Sequence, residues 1–166
     1  MTTVSQLTQP ASPVKPAATL RVVTFAIADY RLALPMSSVL RVVNCPPQFS
    51  QGAGKIEFVH LGQHSIMVLN LHQRLTLRRR EPCLNQGQFL IVTPAVRQEL
   101  CAIRVDRPPD VLDLPTQFMR QLPDAYRQGH PLSIASHVAV LPEEPDAASI
   151  FILDMPRTVQ ILTEKK

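Results

Sequence analysis

Two stretches of the chain share one pattern of apolar and polar positions. Residues 66–71 and 150–155 are each an apolar run interrupted by one short polar residue, which is Asn70 in the first run and Asp154 in the second. A short apolar run of this kind is typical of a strand that packs on both faces. Asn and Asp are favoured where helices begin, because their side chains accept hydrogen bonds from the free amides of the first turn. The pattern therefore predicts, twice, a buried strand that runs into a short helix.

Predicted strands also precede the first of these units. Val23, Phe25 and Ile27 occupy alternate positions, so they can share one face of a strand. A tight turn is expected over residues 29–31. Residues 32–34 then return as a second strand, which a proline ends.

A short helix is expected after that proline. Val39, Val42 and Val43 follow one another at helix-like spacing, with apolar positions three and four residues apart. Ser37 or Ser38 is available to cap the helix, because a serine hydroxyl accepts bonds from the free amides of a first turn.

The second part of the chain repeats this order of elements. Residues 89–92 and 100–105 predict a hairpin, and residues 111–114 add a strand. Residues 132–135 and 137–141 predict two more strands ahead of the second strand-to-helix unit. The spacing between equivalent elements varies, so the repeat is one of architecture without a fixed period. Two related β units of this kind indicate a double β-barrel binding module.

Domain boundaries follow from shifts in composition. Residues 1–18 are rich in Ser, Thr, Gln and Pro with little that could fill a core, so a disordered N-terminal tail is expected there. Residues 19–166 are expected to form one domain of two intertwined β-barrel subdomains. Residues 81–88 predict a linker between the halves, and because it is short the halves should touch.

Length and composition predict a soluble protein without membrane insertion. The chain has 166 residues, of which 45% are hydrophobic, yet no run reaches the roughly 18 apolar residues of a membrane-spanning helix. The N-terminus lacks the basic start and apolar block of a signal peptide. Cys45, Cys83 and Cys101 are scattered and odd in number, which fits reduced thiols better than a disulfide framework. A cytoplasmic location is therefore expected.

The net charge of +4 leaves a basic, nucleic-acid-binding β-barrel open as an alternative. Its strongest support is the run of three arginines over residues 78–80, since guanidinium groups bind phosphates through paired hydrogen bonds. Two Tyr, six Phe and no Trp leave few stacking platforms for a single strand. The favoured interpretation is a solvated loop and no nucleic-acid partner, and binding that falls steeply with salt would favour the alternative.

No motif in the chain predicts catalysis. Glycine-rich phosphate-binding patterns and the Gly-x-Ser-x-Gly elbow of hydrolases are both absent from the sequence. A hydrolase triad assembled from distant residues stays open, and loss of turnover on replacing Ser133 or His137 would support it. We expect a protein with no enzymatic activity and no cofactor.

Two groups of side chains have partial metal-site character. His60 and His64 lie four residues apart, with His72 as a candidate third zinc ligand, but a fourth ligand or a water is needed. Three aspartates over residues 106–113 could bind calcium only with more oxygen ligands. Both groups are interpreted as ordinary surface or loop residues, and no metal is expected.

The order of these signals resembles the CheW-like adaptor domain of bacterial chemosensory arrays. That family has a strand ending in Leu-Pro or a similar pair before a Val-x-Glu-Ile-like helix, and residues 33–42 follow this order. Its Asn-Leu-Arg-Gly turn and Val-Ile-Pro-Val-Val-Asp-Leu-Arg strand line up with residues 60–72. Its Val-Asp-x-Val-x-x-Val-Leu-x-Leu stretch is matched by residues 105–114, and its closing Leu-Asp unit by Leu153 and Asp154. The resemblance covers about residues 20–162.

The resemblance implies both a fold and a function. The fold is mainly β, with two small five-stranded SH3-like β-barrel subdomains that share a hydrophobic core, and with short helices. The function is that of a non-catalytic adaptor that couples a methyl-accepting chemotaxis receptor to a CheA-type histidine kinase, recruited to receptor arrays at the membrane. The resemblance implies one groove between the subdomains that takes the tip of a helical receptor hairpin, and its expected lining is Val39, Arg41, His60, Leu61 and Gly62. A separate face pairs with the regulatory domain of the kinase.

Six residues are the partner contacts that the resemblance implies. They are Val39, Arg41, His60, Leu61, Gly62 and Gln63. The family carries Arg-Gly where this chain has Gly62 and Gln63, and its helix commonly carries Glu where Arg41 stands. Like-charge contacts across an interface cost several kcal/mol, so these departures change which partners fit. We therefore expect a receptor or a kinase different from the standard chemotaxis pair, as in phototaxis or pilus-driven motility.

Overall fold

A computed structural model describes residues 18–46, 56–75, 89–94, 99–126, 129–142 and 148–164 of the chain. We refer to residues 18–75 as the first half and to residues 89–164 as the second half. Four of the predictions above fall outside the described residues. They concern the tail over residues 1–17, the arginine run, Cys83 and the linker over residues 81–88.

Strands dominate both halves. The first half contains β1 (Thr19–Ile27), β2 (Tyr30–Pro35), β3 (Arg41–Asn44), β4 (Ile56–Leu61), β5 (His64–Leu69) and helix α1 (His72–Leu75). The second half contains β6 (Phe89–Pro94), β7 (Leu100–Val105), β8 (Asp110–Pro115), β9 (Met119–Gln121), β10 (Ala135–Val140), β11 (Ser149–Leu153) and helix α2 (Met155–Thr163). Both predicted strand-to-helix units and the predicted hairpin of β6 and β7 are confirmed. Within the described ranges, no helix has the length and hydrophobicity needed to span a membrane.

The described strands form two sheets, and each sheet combines strands from both halves. The first sheet has the order β8-β1-β2-β11-β10-β9, and the second has the order β3-β6-β7-β5-β4. The hairpin of β1 and β2 therefore lies among strands of the second half. The hairpin of β6 and β7 lies among strands of the first half in the same relative order. The halves touch, as predicted, and they do so by exchanging hairpins, while β9 adds a sixth strand to the first sheet.

Two parallel strand pairs join the exchanged hairpins to their host sheets. β11 runs parallel to β2, with Ile152 opposite Ala33. β5 runs parallel to β7, with Val68 opposite Ala102. The two repeated apolar runs thus occupy equivalent places, each beside the returning strand of the other half's hairpin. Because a parallel pair needs a long crossover connection, neither pair can form within one hairpin.

Buried apolar residues form three clusters. The largest, the shared core, draws on both sheets and both helices, and the face of β1 made by Val23, Phe25 and Ile27 packs into it as predicted. The other two clusters are confined to one sheet each. Val43 of edge strand β3 and Leu61 of edge strand β4 both pack on the second sheet's cluster. That sheet therefore curls around its own core, as a small barrel does.

The polar residues at the two strand-to-helix junctions have the predicted role. The Asn70 Oδ1 atom accepts a hydrogen bond from the amide of His72 at 3.1 Å. The Asp154 Oδ1 atom accepts one from the amide of Arg157 at 3.2 Å. Pro156 stands in the first turn of α2, where a missing N–H costs little because that amide has no helical partner.

The predicted helix after β2 is wrong. Met36–Ser38 form a single 3₁₀ turn, and Val39 already has extended backbone angles, with φ −105° and ψ 122°. Arg41–Asn44 form β3, which pairs antiparallel with β6. The β-branched valines of this stretch suit a strand, and the hydrogen bonds to β6 decide between the two periodicities.

The first hairpin turns slightly earlier than predicted. Ile27 pairs with Tyr30, so only Ala28 and Asp29 connect the two strands. Ala28 has a φ of 54°. This left-handed conformation costs a residue with a Cβ roughly 1–2 kcal/mol. Sequence rules expect Gly, Asn or Asp at such a position, which is why they favour a turn that begins at Asp29.

The predicted strand over residues 132–135 is also wrong. Pro131–Ile134 form a 3₁₀ turn, and β10 begins only at Ala135. The His130 side chain caps the turn, since its Nδ1 atom accepts a hydrogen bond from the amide of Leu132 at 3.1 Å. Proline at the first position of such a turn lacks only an amide that has no partner there.

An ion pair lies inside the second sheet. The Nη1 atom of Arg104 in β7 is 3.6 Å from the Oε2 atom of Glu57 in β4, and the two side chains are only 6% and 14% exposed. Burial raises the pKa of Glu57, while the Arg104 charge lowers it. Burial also raises the pKa of the Cys45 thiol, which feels both charges. The pair therefore links an edge strand to the centre of the sheet through its interior.

We predict that removing one partner of this pair destabilises the protein far more than replacing both. Arg104→Met leaves the Glu57 carboxylate buried without this cation, which should lower the free energy of unfolding at pH 7 by about 3–5 kcal/mol. The double variant Glu57→Leu/Arg104→Met removes both charges, and its free energy of unfolding should lie within about 1 kcal/mol of the wild-type value. Urea unfolding measures both, and a double variant no more stable than the single one would contradict the prediction.

Acidification provides the matching control. The pKa of Glu57 is higher in the folded protein than in the unfolded chain. The folded state therefore loses stability as the pH rises through the folded pKa and this carboxyl ionises. Removing the cation of Arg104 raises that pKa further. The Arg104→Met variant should therefore regain stability relative to the double variant as pH falls through this range.

Candidate functional site

An open depression of about 380 Å³ lies where the two halves meet. The first half contributes Leu20, Leu34, Pro35 and Ser38, and the second contributes Met119, Ser136, His137 and residues 152–156. The lining is mostly apolar, with two serines, one histidine and one aspartate as its polar groups. A concave apolar surface with a few polar groups is typical of a site that binds an apolar group and orients it.

The end of β2 forms the wall from the first half. Pro35 lacks an amide hydrogen and cannot continue the strand pairing beyond this point. The chain then tightens into the Met36–Ser38 turn, which is closed by a 3.1 Å hydrogen bond from the amide of Val39 to the carbonyl of Met36. This turn leaves Met36 44% exposed and directs the chain so that Ser38 lines the depression.

A bulge in β10 supplies two adjacent lining residues. The register between β10 and β11 shifts between Ala135 and His137, so Ser136 has no partner across the ladder. The Ser136 carbonyl instead accepts a hydrogen bond from the amide of Leu122 at 2.9 Å. Bulges re-aim side chains relative to a regular strand. Here Ser136 and His137 both reach the depression, with the Ser136 Oγ atom 2.8 Å from the His137 Nδ1 atom.

The start of α2 forms the remaining wall. The amide of Asp154 donates a hydrogen bond to the carbonyl of Ile134 at 2.9 Å. The Thr158 hydroxyl, fully buried, donates to the Asp154 carbonyl at 2.7 Å. These bonds, together with the Asp154 cap on the amide of Arg157, hold Met155 and Pro156 at the edge of the depression.

A serine, a histidine and an aspartate line this depression without the bonding of a catalytic triad. In a triad the histidine is held by the carboxylate on one side and contacts the nucleophile on the other. The Asp154 carboxylate instead caps α2, and Ser136 and His137 are neighbours on one strand. Ser133, the other serine considered from the sequence, is only 2% exposed. The geometry therefore suits docking better than acyl transfer.

The predicted contacts on the first-half turn and β3 lie beside the depression. Val39 follows the lining residue Ser38 and is half-buried, where it packs on the shared core. Arg41 is exposed on β3, opposite Val92 of β6. Its neighbours Leu40 and Val42 are 57% and 41% exposed. Because side chains alternate along a strand, Leu40, Arg41 and Val42 form a short strip in which the two apolar side chains share one face and Arg41 lies on the other.

The other four predicted contacts lie at the opposite edge of the second sheet. His60 and Leu61 end β4, and Gly62 and Gln63 form its turn to β5. Gly62 has a φ of 64°, a conformation that glycine adopts without strain. Three strands separate β3 from β4 in the sheet order. The six predicted residues therefore lie on or beside the two edge strands of one sheet, and none of them lines the depression. Phe58, which is 67% exposed, lies on β4 next to the second group.

The histidines considered as zinc ligands are dispersed. His60 and His64 are exposed on the hairpin of β4 and β5. His72 is buried, and its Nε2 atom lies 3.0 Å from the Asp106 Oδ2 atom, while its Nδ1 atom lies 3.2 Å from the Asn70 Oδ1 atom. Among the side chains that the structure describes, no group of three His, Cys, Asp or Glu could hold a metal ion.

Sequence reasoning missed most of the lining of the depression. Leu20, Ser38, Ser136 and Met155 lie far apart in the chain, and no local pattern brings them together. The sequence contains one signal for this site. The closing strand-to-helix unit at Asp154 is part of the repeated pattern, and its first helical residues line the depression.

Comparison with known proteins agrees with the observed fold. The family model of the CheW-like domain matches residues 21–162. The crystal structure of the scaffolding protein TtCheW from Thermoanaerobacter tengcongensis is similar, with a TM-score of 0.65, 16% sequence identity, and coverage of 95% of this chain and 96% of that chain. At this level of identity the likeness concerns the fold. No curated protein matches the chain in sequence.

Proposed function

The chain belongs to the CheW-like domain family, and on that premise we propose that it is a non-catalytic adaptor in a chemosensory system. It couples a methyl-accepting chemotaxis receptor to a CheA-type histidine kinase by binding both. It acts in the cytoplasm and is recruited to receptor arrays at the membrane. Its domain extends over residues 19–166, and it needs no cofactor for this task.

The family match over residues 21–162 supports this proposal most strongly, and the surface that fits it is the depression between the halves. Its lining is mostly apolar, and it is open enough to receive a side chain from another molecule. The tip of a helical hairpin presents apolar side chains at intervals of three and four residues, and such anchors fit a groove of this character. We assign the depression to the receptor.

The strip on β3 extends this receptor contact. Leu40, Arg41 and Val42 begin two residues after Ser38, which lines the depression, and the two apolar members are largely exposed. Leu40 and Val42 lie on one face of this edge strand and Arg41 on the other, and a charge beside an apolar contact selects the partner. Arg41 is therefore proposed to select a receptor with an acidic surface at this position.

The kinase is assigned to the opposite edge of the second sheet. Phe58 and His60 occupy alternate positions of β4, so they share one face of the strand. The turn of Gly62 and Gln63 follows directly. We propose that the two partners bind at once, the receptor at the depression and the kinase at this edge. Simultaneous binding raises the effective concentration of each partner for the other.

We predict that a charge placed in the depression weakens receptor binding selectively. Pro156→Glu adds a carboxylate to an exposed lining position, and the N-terminus of α2 tolerates a negative charge well. The affinity for a soluble fragment of the receptor hairpin tip should fall at least about tenfold, or about 1.4 kcal/mol, while the affinity for the kinase regulatory domain is unchanged. Calorimetric titration with each partner measures the two affinities.

Gln160→Glu is the matched control for this experiment. It adds the same carboxylate to an exposed position on the same helix, away from the residues that line the depression. It should leave both affinities within about twofold of the wild type, since a single exposed charge contributes little. Equal receptor binding by Pro156→Glu and the wild type would rule out the depression as the docking site.

Charge reversal at Arg41 tests the proposed receptor preference. Arg41→Glu places like charges against an acidic receptor surface and should lower receptor affinity at least about tenfold, with Arg41→Gln intermediate. The difference should shrink at high ionic strength, because salt screens exposed charges. Titration at two salt concentrations provides the comparison, and unchanged receptor affinity in Arg41→Glu would show that the hypothesis of altered partner choice is wrong.

A further inference from the structure

One short segment is hydrogen-bonded to both helices, α1 and α2. The turn Pro131–Ile134 is buried at Leu132, Ser133 and Ile134, and Leu132 and Ile134 belong to the shared core. Its polar backbone groups therefore need partners inside the protein, since an unpaired buried polar group costs about 1–3 kcal/mol. The structure supplies these partners from α1 on one side and from α2 on the other.

Arg74 of α1 holds the segment from the first half. Its Nε atom donates to the carbonyl of Pro131 at 3.1 Å, and its Nη2 atom donates to the carbonyl of His130 at 3.3 Å and to the hydroxyl of Ser133 at 2.6 Å. Burial lowers the pKa of Arg74, as expected for a guanidinium shielded from water. These donors are spread over two nitrogens of one planar group, an arrangement that the single ammonium nitrogen of a lysine cannot reproduce.

Helix α2 holds the same segment from the second half. The Arg157 Nε atom donates to the carbonyl of Ser133 at 2.6 Å. The amide of Asp154 donates to the carbonyl of Ile134 at 2.9 Å, and the Thr158 hydroxyl oxygen lies 3.3 Å from the same carbonyl oxygen. Ser133 is thus fixed through its side chain by one half and through its backbone by the other.

The segment also connects directly to the depression. The carbonyl of Ile134 accepts a hydrogen bond from the amide of Asp154, and Asp154 lines the depression. From Ile134 the chain continues through Ala135 into the bulge. The lining residues Ser136 and His137 are therefore two and three residues from the clamped turn. A shift of the turn would move two walls of the depression together.

We propose that Arg74 is a positioning residue that sets the shape of the docking depression from outside it. It does so by holding the Pro131–Ile134 turn against α2, and it links the second sheet, through β5 and α1, to the surface assigned to the receptor. This inference rests on the proposed function for its binding consequence alone. Its structural consequence can be measured without any partner.

The test combines backbone hydrogen exchange with binding in the full-length protein. Arg74→Met keeps most of the side-chain length and removes every donor. The amides of Asp154 and Leu122, which donate to carbonyls of Ile134 and Ser136, should exchange at least about tenfold faster than in the wild type. The amide of Leu40, which donates to the carbonyl of Val92 in the second sheet, should be unchanged. Affinity for the receptor hairpin fragment should fall about fivefold or more with kinase-domain affinity preserved.

Three further variants separate positioning from general stability. Arg74→Lys restores the charge and one donor nitrogen, so it should recover part of the protection of the Asp154 and Leu122 amides against hydrogen exchange. Ser133→Ala removes only the hydroxyl acceptor and should cause a smaller change of the same kind, which keeps the test available should Arg74→Met fail to fold. Ser65→Ala, at an exposed position of β5 in the same half as Arg74, should match the wild type.

The possible outcomes are distinct. Unchanged exchange at Asp154 and Leu122 in Arg74→Met, or an equal increase at Leu40, would overturn the positioning role and leave only a general structural one. Faster local exchange with unchanged receptor affinity in a protein that does bind the receptor would also overturn it. If the wild type binds no receptor fragment, the proposed function fails, and the exchange data still decide whether Arg74 holds the depression.

Discussion

The exchange of hairpins between the two halves is the constraint on which the rest of this molecule depends. Each parallel pair, β2 with β11 and β5 with β7, joins strands that come from different halves. Without these pairs, the first sheet divides into β8-β1-β2 and β11-β10-β9, and the second divides into β3-β6-β7 and β5-β4. The shared core depends on the same exchange, since the apolar faces of both hairpins pack into it. The two small sheets therefore stabilise each other and form one cooperative unit.

This constraint also explains where the proposed docking surface lies. The depression forms where the end of β2 from one half meets β10 and the start of α2 from the other. The Asp154 carboxylate there caps α2, and Ser136 and His137 lie at the bulge of β10. In the proposed role, apolar fit supplies affinity and nearby charge selects the partner.

Local patterns predicted the elements well where one periodicity was possible. The runs that end at Asn70 and Asp154 are apolar in almost every position, and the polar residue in each has a capping role. The valines near β3 fit both a helix and a strand, and only the pairing with β6 decides between them. The Pro131–Ile134 turn has a local His130 cap and a proline at its first position, but the bonds from Arg74 and Arg157 that hold it come from elsewhere in the chain. The same reason kept the depression hidden, because its lining depends on which strands of the two halves become neighbours.

The most direct measurement of the central claim divides the chain between its halves. Residues 1–80 and 81–166, produced as separate chains, divide the protein between α1 and β6. The exchange of hairpins predicts that neither fragment alone shows a cooperative thermal transition, and that mixing them in equal amounts restores one, together with near-ultraviolet circular dichroism like that of the intact chain. A fragment that unfolds cooperatively by itself, with no change on adding the other, would contradict the claim that the two sheets fold only together.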